Sequence, residues 1–362
     1  MDSGVHSSAR RLRGPATGSS APQVAPVTAG APTCHEKERV AEEERLAPGW
    51  PGTATDAGGQ SAVPLREWVR PALHLSLVQL TVDLTLRGAV RANSPICAVV
   101  RGLIGQRFRE LRCLTGADHC NGCSHRALCD YAQIFDDEDV HAFWLRGLPA
   151  TTQARAGSTF AVTLHLATPA HAAAPYLEVA VRDALRALAP DGLLRPTRWA
   201  RGALGDLLPA PTDPAAVHLR AGTPWVLRGN HEAYRCRSPQ APWFALLVGA
   251  GIRRVDALLR RFAPSATGHR PRAEVPDLAD VAVVAGRLRP WSSSRFSHRQ
   301  ARRIPLRGLQ GSATLTGRHL DATLPLLRIL TVTGVGKATA LGLGTLDLVS
   351  AARDERCPEQ SP

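Results

Sequence analysis

Lysine is almost absent from this chain of 362 residues, in which Lys37 and Lys337 are the only two. The 44 basic residues outnumber the 31 acidic ones, so nearly all of the formal charge of +13 comes from arginine. A charge of this sign and size indicates a polyanionic partner. Arginine binds phosphate through two parallel hydrogen bonds and stacks on bases better than lysine does. Because high-GC coding also enriches arginine, its placement along the chain is more informative than its total.

Long apolar runs are missing as well. No stretch approaches the roughly 18 uncharged apolar residues that would span a membrane, and no apolar segment of a secretory signal follows Arg10 and Arg11. We therefore expect a cytoplasmic protein without a membrane partner. In a reducing compartment, cysteines that cluster in sequence favour a metal site over disulfide bonds.

Both ends of the chain lack a helical or strand period. Residues 1–66 are rich in Ala, Pro, Gly, Ser and Thr, a composition that favours disorder because it cannot bury enough apolar surface. We predict disordered tails at residues 1–66 and 352–362, with the folded part of the chain between them.

Hydrophobic periodicity divides the folded part into two similar halves. Each half is predicted to run β-α-β-β-α-β, which is the order of a ferredoxin-like domain, and the proline-rich segment Leu208–Pro214 separates them. We therefore predict an α+β protein with two tandem ferredoxin-like (RRM-like) domains, at residues 67–214 and 215–351. A small cysteine-rich metal-binding insertion, residues 113–129, interrupts the first domain.

Two local patterns make sharper predictions. Leucines alternate with polar residues from Leu73 to Leu86 and change phase near Leu77, which predicts one long strand with a bulge. In the second half, apolar alternation predicts strands at Val281–Leu288 and Leu309–Leu315.

Four of the eight cysteines fall within seventeen residues, separated by six, two and five positions: Cys113, Cys120, Cys123 and Cys129. Four thiolates in so short a segment suit a tetrahedral Zn²⁺ ion, with His119 or His125 as an alternative ligand to Cys113. An iron–sulfur cluster uses the same thiolates, and unliganded core thiols are the third interpretation. Either metal would be structural, because four closed ligands leave no position for a substrate.

Arginines are concentrated near the C-terminus. Seven of them lie between Arg287 and Arg307, interleaved with Trp291 and Phe296. This combination of cations and stacking rings suits single-stranded or looped RNA. A solvated arginine-rich face is the alternative.

A glycine-rich loop with a single lysine follows, Gly334-Val335-Gly336-Lys337 and Gly342-Leu343-Gly344. Glycine allows positive φ and close approach, so that backbone N–H groups turn toward a phosphate. The loop is not a Walker A motif, because Thr331 stands where that motif needs glycine and Ala338 where it needs Ser or Thr. We therefore do not expect NTP hydrolysis. A purely structural turn is the other interpretation.

Together these motifs resemble the closing domain of the CRISPR-associated pre-crRNA-processing endoribonucleases, a branch of the repeat-associated mysterious protein (RAMP) superfamily. The segment from Cys120 to Phe135 is also similar to a cysteine segment in some members, so the resemblance spans roughly residues 68–350. The motifs that carry it are, in order, Trp291 with Arg295–Leu306, Gly308–Gly311 leading into Leu324–Arg328, and the glycine-rich loop.

The resemblance implies a protein that binds the stem-loop of a CRISPR repeat and cleaves precursor crRNA, with no cofactor needed for catalysis. In that family the ribose 2′-OH attacks the adjacent phosphate and leaves a 2′,3′-cyclic phosphate and a 5′-OH. The reaction needs a proton acceptor, a proton donor and cations for the crowded phosphorane. The RNA-binding residues that the matching motifs imply are Arg295, Arg299, Arg302, Arg303, Gly336, Lys337, Gly342 and Gly344.

The catalytic histidines of the family have no counterparts at the matching positions of this sequence. Many members carry a histidine in or just before the first helix, whereas residues 87–111 contain five arginines and no histidine. A histidine often found just ahead of Val-Gly-Lys is Gly334 here. We therefore take His298, inside the basic motif, as the first catalytic candidate, since histidine is the usual group for proton transfer near neutral pH. Arg91 is the second candidate.

Two other functions stay open. The missing histidine motivates a related protein that holds the repeat hairpin within a CRISPR complex, beside other subunits, without cutting it. Leu227–Glu232 contains the Asn-His pair typical of metallophosphoesterases. The upstream carboxylate motifs that would complete a two-metal site are missing, so this match is the weakest of the three.

Overall fold

The computed structural model describes residues 62–116, 120–136, 140–167, 170–210, 216–227, 242–263, 271–297 and 302–349. All of them lie in one compact unit of the chain, Trp50–Pro362. Within these ranges no helix is long and apolar enough to cross a membrane. The predicted C-terminal tail and all but the last five residues of the predicted N-terminal tail lie outside the described residues.

The first domain is built from an antiparallel sheet with two helices on one face. Its elements are β1 (Ser76–Thr85), α1 (Ile96–Arg112), β2 (Phe143–Arg146), β3 (Thr159–Ala167), α2 (Ala174–Leu188) and β4 (Arg198–Ala203). The strand order is β2-β3-β1-β4. Val78, Leu80, Val82 and Leu84 alternate along β1 and share one buried core with apolar residues of both helices.

The second domain repeats this arrangement. Its elements are β5 (Val217–Trp225), α3 (Pro242–Phe262), β6 (Ala282–Ser297), β7 (Arg302–Thr316), α4 (Leu320–Thr333) and β8 (Leu346–Val349). The antiparallel strand order β6-β7-β5-β8 corresponds strand for strand to that of the first domain. The prediction of two tandem ferredoxin-like domains is therefore confirmed.

Shorter elements connect these parts. The strand Val63–Pro64 pairs with Ala273–Glu274, so regular structure starts a few residues before the predicted boundary at residue 67. The other short strands are Val90–Arg91, Gln153–Ala154 and Leu193–Leu194, and the short helices are Leu65–Trp68, Arg70–His74, Arg126–Leu128, Asp130–Phe135, Ala170–Ala173, Leu204–Leu207 and Thr339–Leu341.

The predicted long strand from Leu73 to Leu86 is wrong in its first part. Arg70–His74 forms a 3₁₀ helix with proline in its first turn, and β1 pairs with β3 without a register shift. The phase of the leucines changes because Ala72 and Leu75 are buried in the core of the second domain. The later apolar residues of β1 face the core of the first domain instead.

Strands β6 and β7 are longer than their apolar pattern predicted. The pattern placed the facing ends of the two strands at Leu288 and Leu309, but the strands stay paired as far as Ser297 and Arg302. The additional part is rich in Arg and Ser and carries no apolar alternation, so hydrophobic periodicity could not reveal it.

The glycine-rich loop holds the two domains together. Ala340, Leu341 and Leu343 of this loop are buried in the core of the first domain. Gly342 lies between them with φ +83°, and a Cβ at this position would stand 3.2 Å from Cβ of Cys97 on α1. Only glycine combines this backbone conformation with so close an approach to the helix.

The amide groups of the same loop are used inside the protein. The N–H of Val335 donates to the carbonyl oxygen of Gly344 at 2.9 Å, and the N–H of Gly344 donates to that of Pro224 at 2.8 Å. The N–H of Gly342 donates to the carbonyl oxygen of Thr339 at 3.0 Å. Because Gly342 and Gly344 are also buried, they build a packed turn between the domains and do not offer N–H groups to a phosphate.

Replacing Gly344 with alanine is expected to destabilise the fold by about 1–3 kcal/mol. Gly344 has φ +77°, and a Cβ there would overlap the carbonyl oxygen of Val335. Gly102→Ala on α1 is the matched control, because nothing lies within 4 Å of its added Cβ and alanine favours a helix. Urea unfolding gives the free energy of unfolding of both variants. Equal stabilities would contradict the packing role of the loop.

Candidate nucleic-acid interface

The hairpin of β6 and β7 extends past the sheet as a two-stranded arm, which consists of Trp291–Ser297 and Arg302–Gly308. Strand β7 pairs with β5 only as far as Leu309, whereas the two halves of the arm stay paired with each other. Residues directly opposite each other in an antiparallel pair share a face, and neighbours along a strand alternate. The arm therefore has two faces that carry different residues.

One face of the arm packs against the first domain. Leu306 is buried in that domain's core, and Trp291 packs against the same core. Arg295 lies on this face, opposite Ile304, and its Nε is buried. Apolar contacts thus fix the arm on the first domain and hold one of its arginines at the junction.

Arg101 of α1 is near enough to Arg295 for their charges to interact. The guanidinium of Arg101 lies over the rings of Phe135 and Phe143, 4.9 and 5.8 Å from their centres. Burial lowers the pKa of Arg101 to about 10, Tyr131 opposes this shift, and the charge of Arg295 adds to it. Arg101 is still a cation near neutral pH, so an anion at the junction would relieve the repulsion between the two guanidinium groups. No signal in the sequence distinguishes Arg101 from the other arginines of its region.

The opposite face of the arm is basic and open to solvent. Arg303 and Arg307 are exposed, and Phe296, which lies directly across from Arg303, is 46% exposed. Nη1 of Arg303 donates to Oγ of Ser294 at 3.4 Å. Arg302 is exposed at the outer end of the arm. Guanidinium groups beside an exposed ring suit contacts to RNA phosphates and to an unstacked base.

The remaining predicted residues lie in other places. Lys337 is exposed in the glycine-rich loop, and Gly336 beside it is partly exposed. Arg91 is exposed in a two-residue strand that directly precedes α1. His298 and Arg299 are outside the described residues. The group that the loop exposes to solvent is therefore mainly the side chain of Lys337, not a row of backbone amide groups.

A polar cleft of about 350 Å³ separates the sheets of the two domains. Asp347 of β8 accepts hydrogen bonds from Nη2 of Arg146 at 3.0 Å and Nη2 of Arg220 at 3.2 Å. This carboxylate neutralises part of the arginine charge in the cleft. His165 also lines the cleft and stacks on Trp144, with ring centres 5.4 Å apart.

His165 is poorly suited to proton transfer near neutral pH. Burial lowers its pKa to about 3, and the charge of Arg146 adds to this effect. A histidine with so low a pKa is a very weak base. Its contact with Trp144, which donates a hydrogen bond to the carbonyl oxygen of Val332 at 2.6 Å, indicates a packing role at the domain interface.

The four predicted metal ligands are near one another, although no three potential ligands among the described residues are placed to hold a metal ion. Together with His125 they line one small cavity next to the end of α1: Cys113, Cys120, Cys123 and Cys129.

Comparisons with known families agree with these two domains. A family model described as CRISPR-associated endoribonuclease Cas6 matches residues 219–346, which span the second domain from β5 to β8. The second domain is therefore similar to the CRISPR-associated Cas6 endoribonucleases. A second model, AF_1859_N, described as an N-terminal domain, matches residues 75–187. No curated protein matches the chain significantly.

Several solved structures resemble the chain at low sequence identity. A Cas6 (TTHA0078) product complex is 17% identical with a TM-score of 0.43, covering 76% of this chain and 100% of that one. An RAMP protein binding different RNA substrates is 13% identical with a TM-score of 0.40, covering 75% and 100%. A partial Cas6-RT-Cas1–Cas2 complex is 11% identical with a TM-score of 0.45, covering 80% and 48%.

Proposed function

We propose that this protein is a Cas6-type, metal-independent endoribonuclease that binds CRISPR repeat stem-loops and cleaves precursor crRNA beside them. The arm is the observation that carries the proposal. The domain that matches the Cas6 model extends a hairpin with an exposed face of arginines and an aromatic ring. Such a face binds RNA through phosphate charge and base stacking.

Cleavage proceeds by attack of the ribose 2′-OH on the adjacent phosphate. The O2′ proton passes to a base while the O2′–P bond forms, and the P–O5′ bond breaks as O5′ takes up a proton. The products are a 2′,3′-cyclic phosphate and a 5′-OH, and the reaction uses no metal ion. The protein has to supply two proton-transferring groups and positive charge around the phosphorane.

Arg101 and Arg295 supply that positive charge. Arg101 belongs to α1 and Arg295 to the arm that packs on the same domain, and in the free protein their charges repel each other. Their repulsion is relieved most when the phosphate between them carries the most negative charge, which is in the phosphorane. An interaction that is strongest in the transition state lowers the barrier.

His298 transfers one of the two protons. It follows Arg295 by three residues in the sequence, in the connection between β6 and β7. Histidine is the side chain whose ordinary pKa allows both uptake and release of a proton near neutral pH. Arg91, exposed just before α1, contacts phosphates next to the cleaved bond.

A non-catalytic RNA-binding subunit of a CRISPR complex is the second candidate. The observation that favours it is the composition of α1, whose seventeen residues include no histidine. In that case the arm and the arginine pair would hold the repeat hairpin and leave the phosphodiester intact.

Purified protein should cleave a labelled repeat hairpin in EDTA and leave a 2′,3′-cyclic phosphate. His298→Ala should slow cleavage by a factor of about 10²–10⁴, because one proton transfer would lose its side chain. His74→Ala is the matched control, since His74 is exposed in a 3₁₀ helix away from the arm. Single-turnover rates measure both effects.

Three results would count against parts of this proposal. Tight binding without cleavage supports the non-catalytic subunit. An unchanged rate for His298→Ala removes this histidine from the mechanism. Cleavage that needs added Mn²⁺ contradicts the metal-independent reaction.

Replacing Arg303 and Arg307 together with alanine should weaken RNA binding and reduce its dependence on salt. Each phosphate contact to single-stranded RNA contributes about 0.7 to the slope of log K against log salt concentration, so the slope should fall by about 1.4. Fluorescence anisotropy with a labelled repeat RNA at several salt concentrations measures it.

A second double variant serves as the control. Arg186→Ala with Arg318→Ala removes the same charge from side chains that are 58% and 89% exposed outside the arm. This variant should keep the wild-type slope. An equal loss of slope in both double variants would show that the arm is not the RNA-binding surface.

A further inference from the structure

One small cavity is lined by all four clustered cysteines. Its volume is about 10 Å³, which accommodates a single ion or water molecule and no larger group, and His125 and Thr115 also line it. The four thiols form no disulfide bonds. They are Cys113, Cys120, Cys123 and Cys129.

The backbone and a neighbouring hydroxyl place these sulfurs around one space. Oγ1 of Thr115 lies 3.9 Å from Sγ of Cys113 and 3.6 Å from Sγ of Cys123. The N–H of Cys123 donates to the carbonyl oxygen of Cys120 at 3.2 Å, which closes a tight turn between these two cysteines. Among the described residues, no three potential ligands already stand at coordinating positions. Side-chain rotations of the partly exposed cysteines must therefore bring the sulfurs onto an ion.

The segment has no hydrophobic core of its own. None of its described residues from Cys113 to Cys129 is buried, and Leu114 and Leu128 are 81% and 86% exposed. An ion pair of Arg112 with Asp130, 2.5 Å long, joins its two ends. Segments that cannot bury enough apolar surface are commonly held by a metal ion or by disulfide bonds.

We propose that the thiolates of Cys113, Cys120, Cys123 and Cys129 bind one structural Zn²⁺ ion. Tetrahedral Zn²⁺ takes four thiolates at about 2.3 Å each, and the four cysteines that line the cavity supply that number. The ion joins the end of α1 to the short helix Asp130–Phe135, whose Phe135 contacts Arg101. It thereby stabilises the position of Phe135, over which the guanidinium of Arg101 lies. The metal site itself does not depend on the proposed RNA cleavage.

Metal analysis of the full chain, expressed with zinc and purified without chelators, tests the proposal. We expect about one zinc per chain. Cys123→Ser should lose at least nine-tenths of the zinc, whereas Cys97→Ala, which removes a buried thiol of α1 outside the cavity, should keep it. His125→Ala should also keep it, because four thiolates complete the coordination. Zinc retained in Cys123→Ser, or lost in His125→Ala, would overturn this ligand set.

A second measurement uses the wild-type chain and does not depend on whether a variant folds. A strong chelator should make four additional thiols reactive toward a thiol reagent, because metal-bound thiolates are protected. Replacement of zinc by Co²⁺ should give the strong absorption of thiolate-to-cobalt charge transfer. Absence of zinc with unchanged thiol reactivity, or bound iron with visible absorption, would overturn the assignment to Zn²⁺.

Discussion

The contact between the glycine-rich loop and α1 is the constraint on which the rest of the structure depends. Gly342 lets the loop approach Cys97, and Leu341 and Leu343 on either side of it enter the core of the first domain. The arm adds Leu306 to the same core. Because the loop and the arm are both fixed on the first domain, Arg295 of the second domain is held within range of the charge of Arg101 in the first.

A glycine-rich sequence with one lysine has two physical explanations. In a phosphate-binding loop, the N–H groups point to solvent and are available to bind an anion. In a packed turn, they donate to carbonyl oxygens of the protein, and the missing side chains permit close approach. Gly342 and Gly344 follow the second pattern, with both amides donated inside the chain. Lys337, which is exposed, is the part of the loop that faces solvent.

The two domains could be predicted from the sequence because their core residues recur with the apolar periodicity of strands and helices. Val78 to Leu84 alternate as buried residues of a strand should, and the helices have one apolar face each. Predictions from hydrophobic periodicity were wrong where the burial of a residue was not determined by its own strand or helix. The arm is a strand pair whose polar residues give no alternation, and Ala72 and Leu75 are buried by the other domain.

The candidate site was predictable only in part, for the same reason. The arginines of the arm were recognised from their density and their aromatic neighbours. The electrostatic interaction of Arg101 with Arg295 joins residues nearly two hundred positions apart in the sequence, and no local pattern indicates such an interaction. The cysteines, in contrast, are close in sequence, and their spacing alone predicted a shared metal site; the structure places all four along one small cavity.

The rates of repeat-hairpin cleavage by Arg101→Met and Arg101→Lys show whether the charge of Arg101 stabilises the phosphorane. Methionine keeps the apolar contact with Phe135 and removes the charge, whereas lysine keeps the charge. If the arginine pair stabilises the phosphorane, Arg101→Met should reduce the single-turnover rate by a factor of about 10²–10³, with a much smaller loss of RNA affinity. Arg101→Lys should recover part of that rate. Cleavage by a folded Arg101→Met variant at the wild-type rate would contradict the account.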